Sequence, residues 1–423
     1  MSKSMNRRKF LGRTRAVVMA GGVVACGASS GATLAKTPSA GTGVDYYDKL
    51  GVVPFINAGG TFTTYSGSVM PAEVQAAITR AGQSHVNIEE LHRASGEYLA
   101  RRLRCGGALV TAGAASALTL GTAACITLGN DQAIINLPTD MTGLKNEVIV
   151  QKTHRYGYDH ALRNCGIKFI EVETLPEYEA AFNERTVMAH FFIAADSGQI
   201  SREDWVRIAH QHNVPCFNDA AADVPPIANL WNYTQMGFDL VTFSGGKGLR
   251  GPQCTGLLLG RKDLIEAATK NNSPNSNTVG RGMKVGKEEI IGLVAAVDWF
   301  LKQDDDAMQA EFRKRAERIT DQVKTIPTVK TQIFVPPVAN HVPHLLITFD
   351  PSRVKITGQA VVEKMRQGKP RIELHPSTGG GPAMEGLPSG ENTIVIGVWM
   401  LLPNEDLIVG RRLREVLREA SQG

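Results

Sequence analysis

Short apolar runs alternate with amphipathic stretches over most of this chain. The apolar runs predict buried strands at residues 52–58, 132–137, 147–150, 168–172, 187–193, 214–218 and 240–243. Apolar positions that recur every three to four residues predict helices at 71–81, 88–104, 158–165, 177–183, 202–212 and 229–236. Strands and helices in alternation are typical of an α/β fold whose mainly parallel sheet is covered on both faces.

Beyond residue 280 the apolar pattern becomes longer and more clearly amphipathic. Residues 287–324 predict a helical stretch that bridges two domains. A strand at 344–349 and helices at 358–366 and 406–419 predict a smaller α/β unit. We therefore expect an N-terminal segment at 45–58, a large domain at 59–325 and a small C-terminal domain at 326–423.

The N-terminus contains an export signature. Arg7 and Arg8 lie in the sequence NRRKFLG, and the uncharged, mildly apolar residues 16–35 follow. This pattern predicts a twin-arginine signal peptide at residues 1–35 and a linker at 36–44. Because the twin-arginine route exports folded proteins, we expect a periplasmic protein that folds, and binds any cofactor, before export.

Two processing outcomes remain open at this terminus. The sequence VVAC resembles a lipoprotein cleavage box, which would leave a lipidated Cys26 as a membrane anchor. Cleavage after Ala35 is the alternative. Membrane contact is expected only through the signal or this lipid.

The composition describes an ordinary globular enzyme, with 43% hydrophobic and 21% charged residues. The net charge of +5 falls to −1 without residues 1–35, which contain six Lys or Arg and no acid. A chain so close to neutrality gives no support for a nucleic-acid partner. The cysteines after Cys26 are odd in number and lack zinc-type spacing, so we expect neither a disulfide framework nor a metal site.

Candidate chemistry centres on the turn after the predicted strand at 240–243. Lys247 lies in the sequence SGGKGLRGPQ. A lysine that is reachable yet partly desolvated is suited to hold a carbonyl cofactor as a Schiff base. Ser244, three residues earlier, would place its hydroxyl on a phosphate beside the lysine. When this turn is taken alone, a lysine in a surface loop is the alternative.

A second feature is the stretch at 108–118, where a short strand enters a glycine turn and then a helix rich in Ala and Leu. Free N–H groups and the positive end of the helix dipole suit a phosphate near Gly113 and Ala114. Small residues at a helix start also serve packing against a sheet, which is the alternative for this stretch.

A third feature is Asp219, which follows the predicted strand at 214–218 and precedes three alanines. A carboxylate at this end of a strand lies where ligands bind in open α/β sheets. With pyridoxal phosphate (PLP), Asp219 would pair with the pyridine nitrogen and Ala221 would leave room beneath the ring. A helix-capping aspartate is the alternative. The glycine turn, Asp219 and Lys247 follow each other at roughly 106 and 28 residues, and this joint occurrence favours PLP.

Longer sequence blocks extend this interpretation. They are INAGGTFT (56–63), VTAGAASAL (110–118), KTHRYGYDHALRNCG (152–166), NDAAADVPP (218–226), SGGKGLRGPQCTGLLLG (244–260) and GRGMKVGKEEI (280–290). They resemble the selenocysteine synthase (L-seryl-tRNA selenium transferase) superfamily of fold-type-I PLP enzymes, in the branch that contains D-glucosaminate-6-phosphate ammonia-lyase. The resemblance covers about residues 45–420. It implies the PLP-dependent transferase fold, with a seven-stranded-type sheet, a smaller C-terminal domain and a homodimer or larger assembly.

The resemblance also implies roles for single residues. Lys247 corresponds to the Schiff-base lysine and Asp219 to the pyridine partner. The backbone around Gly113 and Ala114, together with Ser244, corresponds to the phosphate site.

Two further positions have weaker assignments. His154 matches a histidine that stacks on the cofactor ring, with a surface histidine as the alternative. Arg281 matches a basic position that faces substrate or cofactor phosphate, with a structural salt bridge as the alternative. The segment at 371–376 departs from the lyase branch, which leaves the identity of the substrate open.

These residues predict a PLP-dependent lyase that acts on a β-hydroxy or β-substituted amino acid or an amino sugar acid, with release of ammonia and a 2-keto acid. Lys247 would remove the α-proton as a general base. An aminotransferase, a racemase or an aldolase-type enzyme would use the same residues, and a non-catalytic periplasmic binding protein is the alternative from another class. Selenium transfer to tRNA is not expected, because a signal and a short linker stand where the tRNA-acting members have an RNA-binding domain.

Overall fold

The computed structural model describes residues 44–195, 198–381, 387–388 and 390–422. The predicted signal peptide at 1–35, Cys26 and most of the linker at 36–44 lie outside the described residues. Contacts within the chain separate the residues up to Val52 from those that begin at Val53.

The strands are β1 (Ile56–Ala58), β2 (Gly107–Thr111), β3 (Glu147–Gln151), β4 (Lys168–Val172), β5 (Thr186–Phe192), β6 (Cys216–Asp219), β7 (Leu240–Ser244), β8 (Gly256–Gly260), β9 (Lys330–Phe334), β10 (His344–Thr348), β11 (Ile372–Leu374) and β12 (Thr393–Gly397). The helices are α1 (Tyr46–Leu50), α2 (Ala72–Ala81), α3 (Ile88–Arg102), α4 (Ala114–Thr127), α5 (Asp131–Asn136), α6 (His160–Arg163), α7 (Leu175–Ala181), α8 (Arg202–Gln211), α9 (Asn229–Met236), α10 (Lys262–Asn271), α11 (Lys287–Phe300), α12 (Asp305–Val323), α13 (Gly358–Arg366) and α14 (Glu405–Gln422). Short 3₁₀ turns lie at Thr63–Tyr65, Lys152–His154, Gly157–Asp159, Ile193–Ala195 and Val398–Met400.

Helix α1 belongs to the short N-terminal unit. Asp45 caps it, since the Asp45 carboxylate accepts a hydrogen bond from the Tyr47 N–H at 2.8 Å. None of the residues of α1 is buried.

Within the described residues, the large sheet has seven strands in the order β2-β8-β7-β6-β5-β3-β4. The neighbours from β7 to β4 pair in parallel, whereas β8 pairs antiparallel with both β7 and β2. The predicted mainly parallel sheet is therefore confirmed. Its parallel strands end at the same edge, which places Asp219 and Ser244 next to each other in space.

Both faces of this sheet are buried, because successive residues along each strand point to opposite sides. Phe191, Val241 and Phe243 pack into one core with helices α3, α8 and α11. Phe217 and Leu240 pack into a second core with α4 and α10. The face with α4 also presents the side chains of the candidate site.

A third core forms the C-terminal part. The antiparallel sheet β12-β10-β9 and the parallel pair of β1 with β11 pack against α12, α13 and α14. The predicted bridging stretch at 287–324 is two helices, and α12 belongs to this core because Phe312 and Ile319 lie in it. The smaller core thus takes in α12, which precedes the predicted boundary at 325, and β1, which lies in the predicted N-terminal segment at 45–58.

One predicted strand is wrong. Residues 132–137 fall largely in helix α5, whose first turn is capped by the Asn130 side chain accepting from the Ala133 N–H at 3.0 Å. A short apolar run of this kind does not distinguish a strand from a buried helical turn. In the described part of the chain, no helix combines the length and apolarity needed to cross a membrane.

Candidate active site

Strand β7 leads directly into the turn that contains Lys247. The turn is fixed to its surroundings: the Gly245 N–H donates to the Thr255 carbonyl oxygen at 2.8 Å, and the Ser68 hydroxyl donates to the Gly246 carbonyl oxygen at 2.9 Å. Lys247 is partly buried. Burial lowers the pKa of its amine, against the opposing effect of the Asp219 charge. Lys247 is therefore neutral, and nucleophilic, more often than a solvated lysine.

Asp219 ends strand β6 and is only 3% exposed. Its Oδ1 accepts from the Ala221 N–H at 3.0 Å, and its Oδ2 accepts from the Tyr156 hydroxyl. Burial raises the pKa of Asp219, while these two hydrogen bonds and the charge of Lys247 lower it. The next helix, α9, begins ten residues later at Asn229, so the helix-capping alternative for Asp219 is wrong.

The predicted phosphate turn lies at the start of helix α4. Gly113 is the residue before the helix, with φ of 91°, and no side chain caps the helix start. Open space of at least 4 Å surrounds the position where a Cβ on Gly113 would lie. The first N–H groups of α4, including that of Ala114, therefore remain available to an anion.

The sheet brings the phosphate turn and Ser244 together through Gly256. Ser244 pairs with Gly256 on one side of β8, and Thr111 pairs with Gly256 on the other. A Cβ on Gly256 would lie 2.3 Å from the carbonyl carbon of Gly113, so the turn packs directly on β8. Ser244 is partly buried and lies one strand away from the start of α4.

Asp219 shares its face of the sheet with polar groups that lack partners. Thr242 pairs with Asp219 across the parallel ladder, and its buried hydroxyl has no hydrogen-bond partner among the described residues. Both ring nitrogens of the buried His190, on the same face, are also unpaired there. Unpaired buried polar groups are rare in folded proteins and point to a missing partner. A lysine amine, a buried carboxylate, free helix N–H groups and this unpaired hydroxyl together fit PLP.

Tyr156 was missed in the sequence, although it lies in the block at 152–166. Its ring stacks on Phe192 with centroids 3.9 Å apart, and its hydroxyl donates to Asp219. Burial and the Asp219 charge raise the pKa of Tyr156 well above its ordinary value, so the phenol stays protonated as a donor. An aromatic residue two positions after His154 was the available signal.

His154 is fully buried, so the alternative of a surface histidine is wrong. The Phe192 N–H donates to its Nδ1 at 3.2 Å, and the ring packs edge-on against Phe191 at 4.4 Å. Burial lowers the pKa of His154 to about 4, which keeps the ring neutral. Phe192 pairs with Asp219 across the sheet, so the side chain of the preceding residue, Phe191, points to the other face. Because His154 packs on Phe191, it lies on the face of the sheet opposite to Asp219. Its stacking on the cofactor stays a prediction.

Of the two remaining assigned residues, Ala221 lies in the site and Arg281 lies on the surface. Ala221 lies beside Asp219, and its carbonyl oxygen accepts from the Ser244 N–H at 3.2 Å, so it joins the site. Arg281 is exposed in the turn before α11, and its N–H donates to the Thr278 carbonyl oxygen at 3.1 Å. Arg281 forms no salt bridge with a described residue, and its role toward a phosphate stays a prediction.

Comparisons with known proteins agree with this geometry. The sequence model of the family described as L-seryl-tRNA selenium transferase matches residues 55–341, which is more than half of the chain. A 5'-C-glycyluridine monooxygenase-decarboxylase from a Streptomyces species is 29% identical over 78% of this chain and 83% of its own. A D-glucosaminate-6-phosphate ammonia lyase from Salmonella typhimurium is 29% identical over 65% of this chain and 75% of its own.

A solved structure of a D-glucosaminate-6-phosphate ammonia-lyase superposes with a TM-score of 0.75 at 25% identity. The superposition covers 89% of this chain and 99% of that one. The predicted fold is therefore confirmed at the level of the whole described chain.

Proposed function

We propose that this chain, which belongs to the L-seryl-tRNA selenium transferase family, is an exported lyase for β-hydroxy or β-substituted amino acids or amino sugar acids. It would release ammonia and a 2-keto acid. The coarser level is established: the protein is a PLP-dependent enzyme with the fold-type-I fold. The observation that supports the proposal is the buried Asp219 carboxylate at the end of β6, at the same sheet edge as the Lys247 turn that follows β7.

The residues that would hold the cofactor lie along one edge of the large sheet. The start of α4 and Ser244 would bind its phosphate, Asp219 its pyridine nitrogen and Lys247 its carbonyl carbon. When bound, PLP supplies an electron sink for negative charge at the substrate's α-carbon. Asp219 supports this sink because a carboxylate in a desolvated site favours a protonated ring nitrogen.

Lys247 would act as the base that takes the α-proton of the substrate. Burial lowers its pKa, so the amine Nζ is available without a proton more often than that of an exposed lysine. Loss of the β-substituent follows proton removal at the α-carbon. The β-substituent leaves with its bonding electrons, and a β-hydroxyl takes up a proton and leaves as water. The remaining enamine, through its imine tautomer, then consumes one water and gives ammonia and the 2-keto acid.

The experiment is an ammonia-release screen of D- and L-amino acids and amino sugar acids with the purified, PLP-loaded protein. Lys247→Ala should remove both the visible absorbance of bound cofactor and all ammonia release. Lys262→Ala is the matched control, because that lysine is 79% exposed and pairs with Glu266 at the surface. Ammonia release that survives Lys247→Ala would contradict the proposal.

A second candidate is oxidative decarboxylation. The Streptomyces relative named as a monooxygenase-decarboxylase aligns with a larger share of this chain than the Salmonella lyase does. Oxygen uptake and CO₂ release in the same screen would favour that reaction. Keto-acid release without oxygen or an amino acceptor would favour the lyase over an aminotransferase, a racemase or an aldolase-type enzyme.

Export and assembly complete the proposal. Arg7 and Arg8 support transport by the twin-arginine route, and replacing both with Lys should retain a reporter fusion in the cytoplasm. Cys26→Ser tests lipidation, since only a lipoprotein would lose its membrane fraction. Because the active sites of related folds form between subunits, we expect a homodimer or larger assembly, which light scattering measures.

A further inference from the structure

A pocket lies beside the lysine turn, between that turn and the helices α11 and α12. Its volume is about 320 Å³. We call it the Arg250 pocket, and the residues used here are Arg250, Arg315, Trp299, Met308, Phe312 and Trp399. Neither Lys247 nor Asp219 is among its lining residues.

Arg250 has an uncommon backbone conformation. Its φ of 56° lies in the left-handed region, which residues other than glycine rarely adopt. The neighbouring glycines of the turn, such as Gly248 and Gly251, do not have positive φ. A glycine would fit position 250 at lower backbone cost, so the use of arginine there indicates a role for its side chain.

The charge of Arg250 is not matched by a carboxylate. Its Nη2 donates to the Trp399 carbonyl oxygen at 2.9 Å, and the described residues offer it no ion pair. Burial and the charge of Arg315 lower the pKa of Arg250 to about 10. A partly buried guanidinium without a counter-ion costs free energy, and an anion is the partner that offsets this cost.

Arg315 is differently placed. Its Nε donates to the Glu311 carboxylate at 3.0 Å, and its Nη1 donates to the Leu401 carbonyl oxygen at 2.6 Å. Glu311 therefore balances Arg315 and not Arg250. The second acid of the lining, Asp304, accepts from the Ala307 N–H at 2.8 Å as the cap of α12. The two arginines and two acids of the lining are equal in number, but Arg250 is the arginine without an ion pair to a described carboxylate.

Besides the polar Gln303, Asp304 and Glu311, the pocket has apolar and aromatic walls. Trp299, Phe312, Met308 and Trp399 contribute ring or thioether surface. Such walls suit the flat apolar body of an organic ligand, whereas a guanidinium suits a carboxylate through two parallel hydrogen bonds. We propose that the Arg250 pocket binds a small organic carboxylate, with the carboxylate on Arg250 and the apolar body between the aromatic walls.

The test is calorimetric titration of the PLP-loaded full chain with benzoate, and separately with inorganic phosphate. We expect saturable benzoate binding that Arg250→Gln weakens at least tenfold. Arg93→Gln should not change it, because Arg93 is 64% exposed and pairs with Glu97 on a helix surface. Phosphate should bind more weakly than benzoate, since it leaves the aromatic walls in water.

A second variant leaves Arg250 intact. Ala307 is exposed at the edge of the pocket, in the first turn of α12, where a glutamate favours helix formation. Ala307→Glu should weaken benzoate binding through charge competition without unfolding the chain. Thermal unfolding of each variant shows whether a loss of binding reflects a loss of structure.

Three outcomes would overturn the proposal. The first is benzoate binding that is absent in the wild type or unchanged in both pocket variants. The second is phosphate binding as tight as that of benzoate, which would mean that charge alone is recognised. The third is binding that disappears in Lys247→Ala but survives Arg250→Gln, which would place benzoate at the cofactor site. None of these outcomes bears on the lyase activity, because binding is measured directly.

Discussion

Tyr156→Phe removes the hydroxyl that donates to Asp219 and leaves the ring. The ring stacks on Phe192 at 3.9 Å with an interplanar angle of 11°, so phenylalanine should keep this packing. The substitution therefore isolates one hydrogen bond to a buried carboxylate. The second oxygen of Asp219 keeps its bond from the Ala221 N–H at 3.0 Å.

A hydrogen bond to a charged group contributes about 1.5–3 kcal/mol. Because Asp219 is 3% exposed, water does not replace the lost donor easily, which places the expected effect within this range. Loss of a hydrogen bond to the charged carboxylate would raise the pKa of Asp219. Each unit of this rise corresponds to about 1.4 kcal/mol. We expect Tyr156→Phe to lower the free energy of unfolding of the cofactor-free protein by about 1.5–3 kcal/mol at neutral pH.

The assay is a double-mutant cycle in urea with Tyr156→Phe, Asp219→Ala and the combined variant. Fluorescence and circular dichroism must give coincident transitions before free energies are compared. The coupling energy should be about 1.5–3 kcal/mol, whereas independent sites add to within about 0.5 kcal/mol. Tyr158→Phe is the control, because Tyr158 is 62% exposed and two residues away. Additive effects of Tyr156→Phe and Asp219→Ala would refute the hydrogen bond as the source of the effect.

Two further predictions address the phosphate turn and acid stability. Gly256→Ala should weaken PLP affinity roughly tenfold, about 1.4 kcal/mol, in an absorbance titration. The reason is that the new Cβ would lie 2.6 Å from the Ala114 nitrogen. Gly282→Ala is the control and should leave PLP affinity unchanged, because open space surrounds position 282. Burial lowers the pKa of His190 to about 3, and burial with the His344 charge lowers that of His375 to about 3. The unfolded chain protonates these rings near pH 6.5, so it binds more protons below that pH and stability falls as the pH drops from about 6.5 toward 3. A thermal unfolding midpoint that stayed constant between pH 7 and 4 would contradict this second prediction.

The fold was predictable where apolar runs and turn residues agreed. The strand at 168–172 and the helices at 229–236 and 358–366 have the predicted bounds, because each is long or strongly patterned and ends at a clear signal. The run at 132–137 failed because four apolar residues within six fit a strand and a helical turn equally well. Only the Asn130 cap distinguishes them, and that cap depends on a backbone geometry the sequence does not display.

The candidate site was predictable in its charged and glycine positions and not in its aromatic one. Lys247, Asp219 and the turn at Gly113 follow strand ends, where the order of parallel strands brings them to one edge. Tyr156 lies in a 3₁₀-rich segment after β3, and its contact with Asp219 joins positions 63 residues apart. No local pattern encodes such a contact, since it depends on how β5 places Phe192 beneath the tyrosine ring.

The glycines around Lys247 allow the turn to pack closely against neighbouring backbone. A Cβ on Gly248 would lie 2.0 Å from the Val224 carbonyl oxygen, and one on Gly246 would lie 2.4 Å from the Gln253 Cα. Protein backbone therefore occupies the space that these glycines leave. Close packing on both sides fixes the turn, so that the ligand meets the Lys247 side chain and not a mobile loop. A rigid turn holds the amine in its desolvated position, and this burial lowers the pKa of Lys247 although the charge of Asp219 raises it.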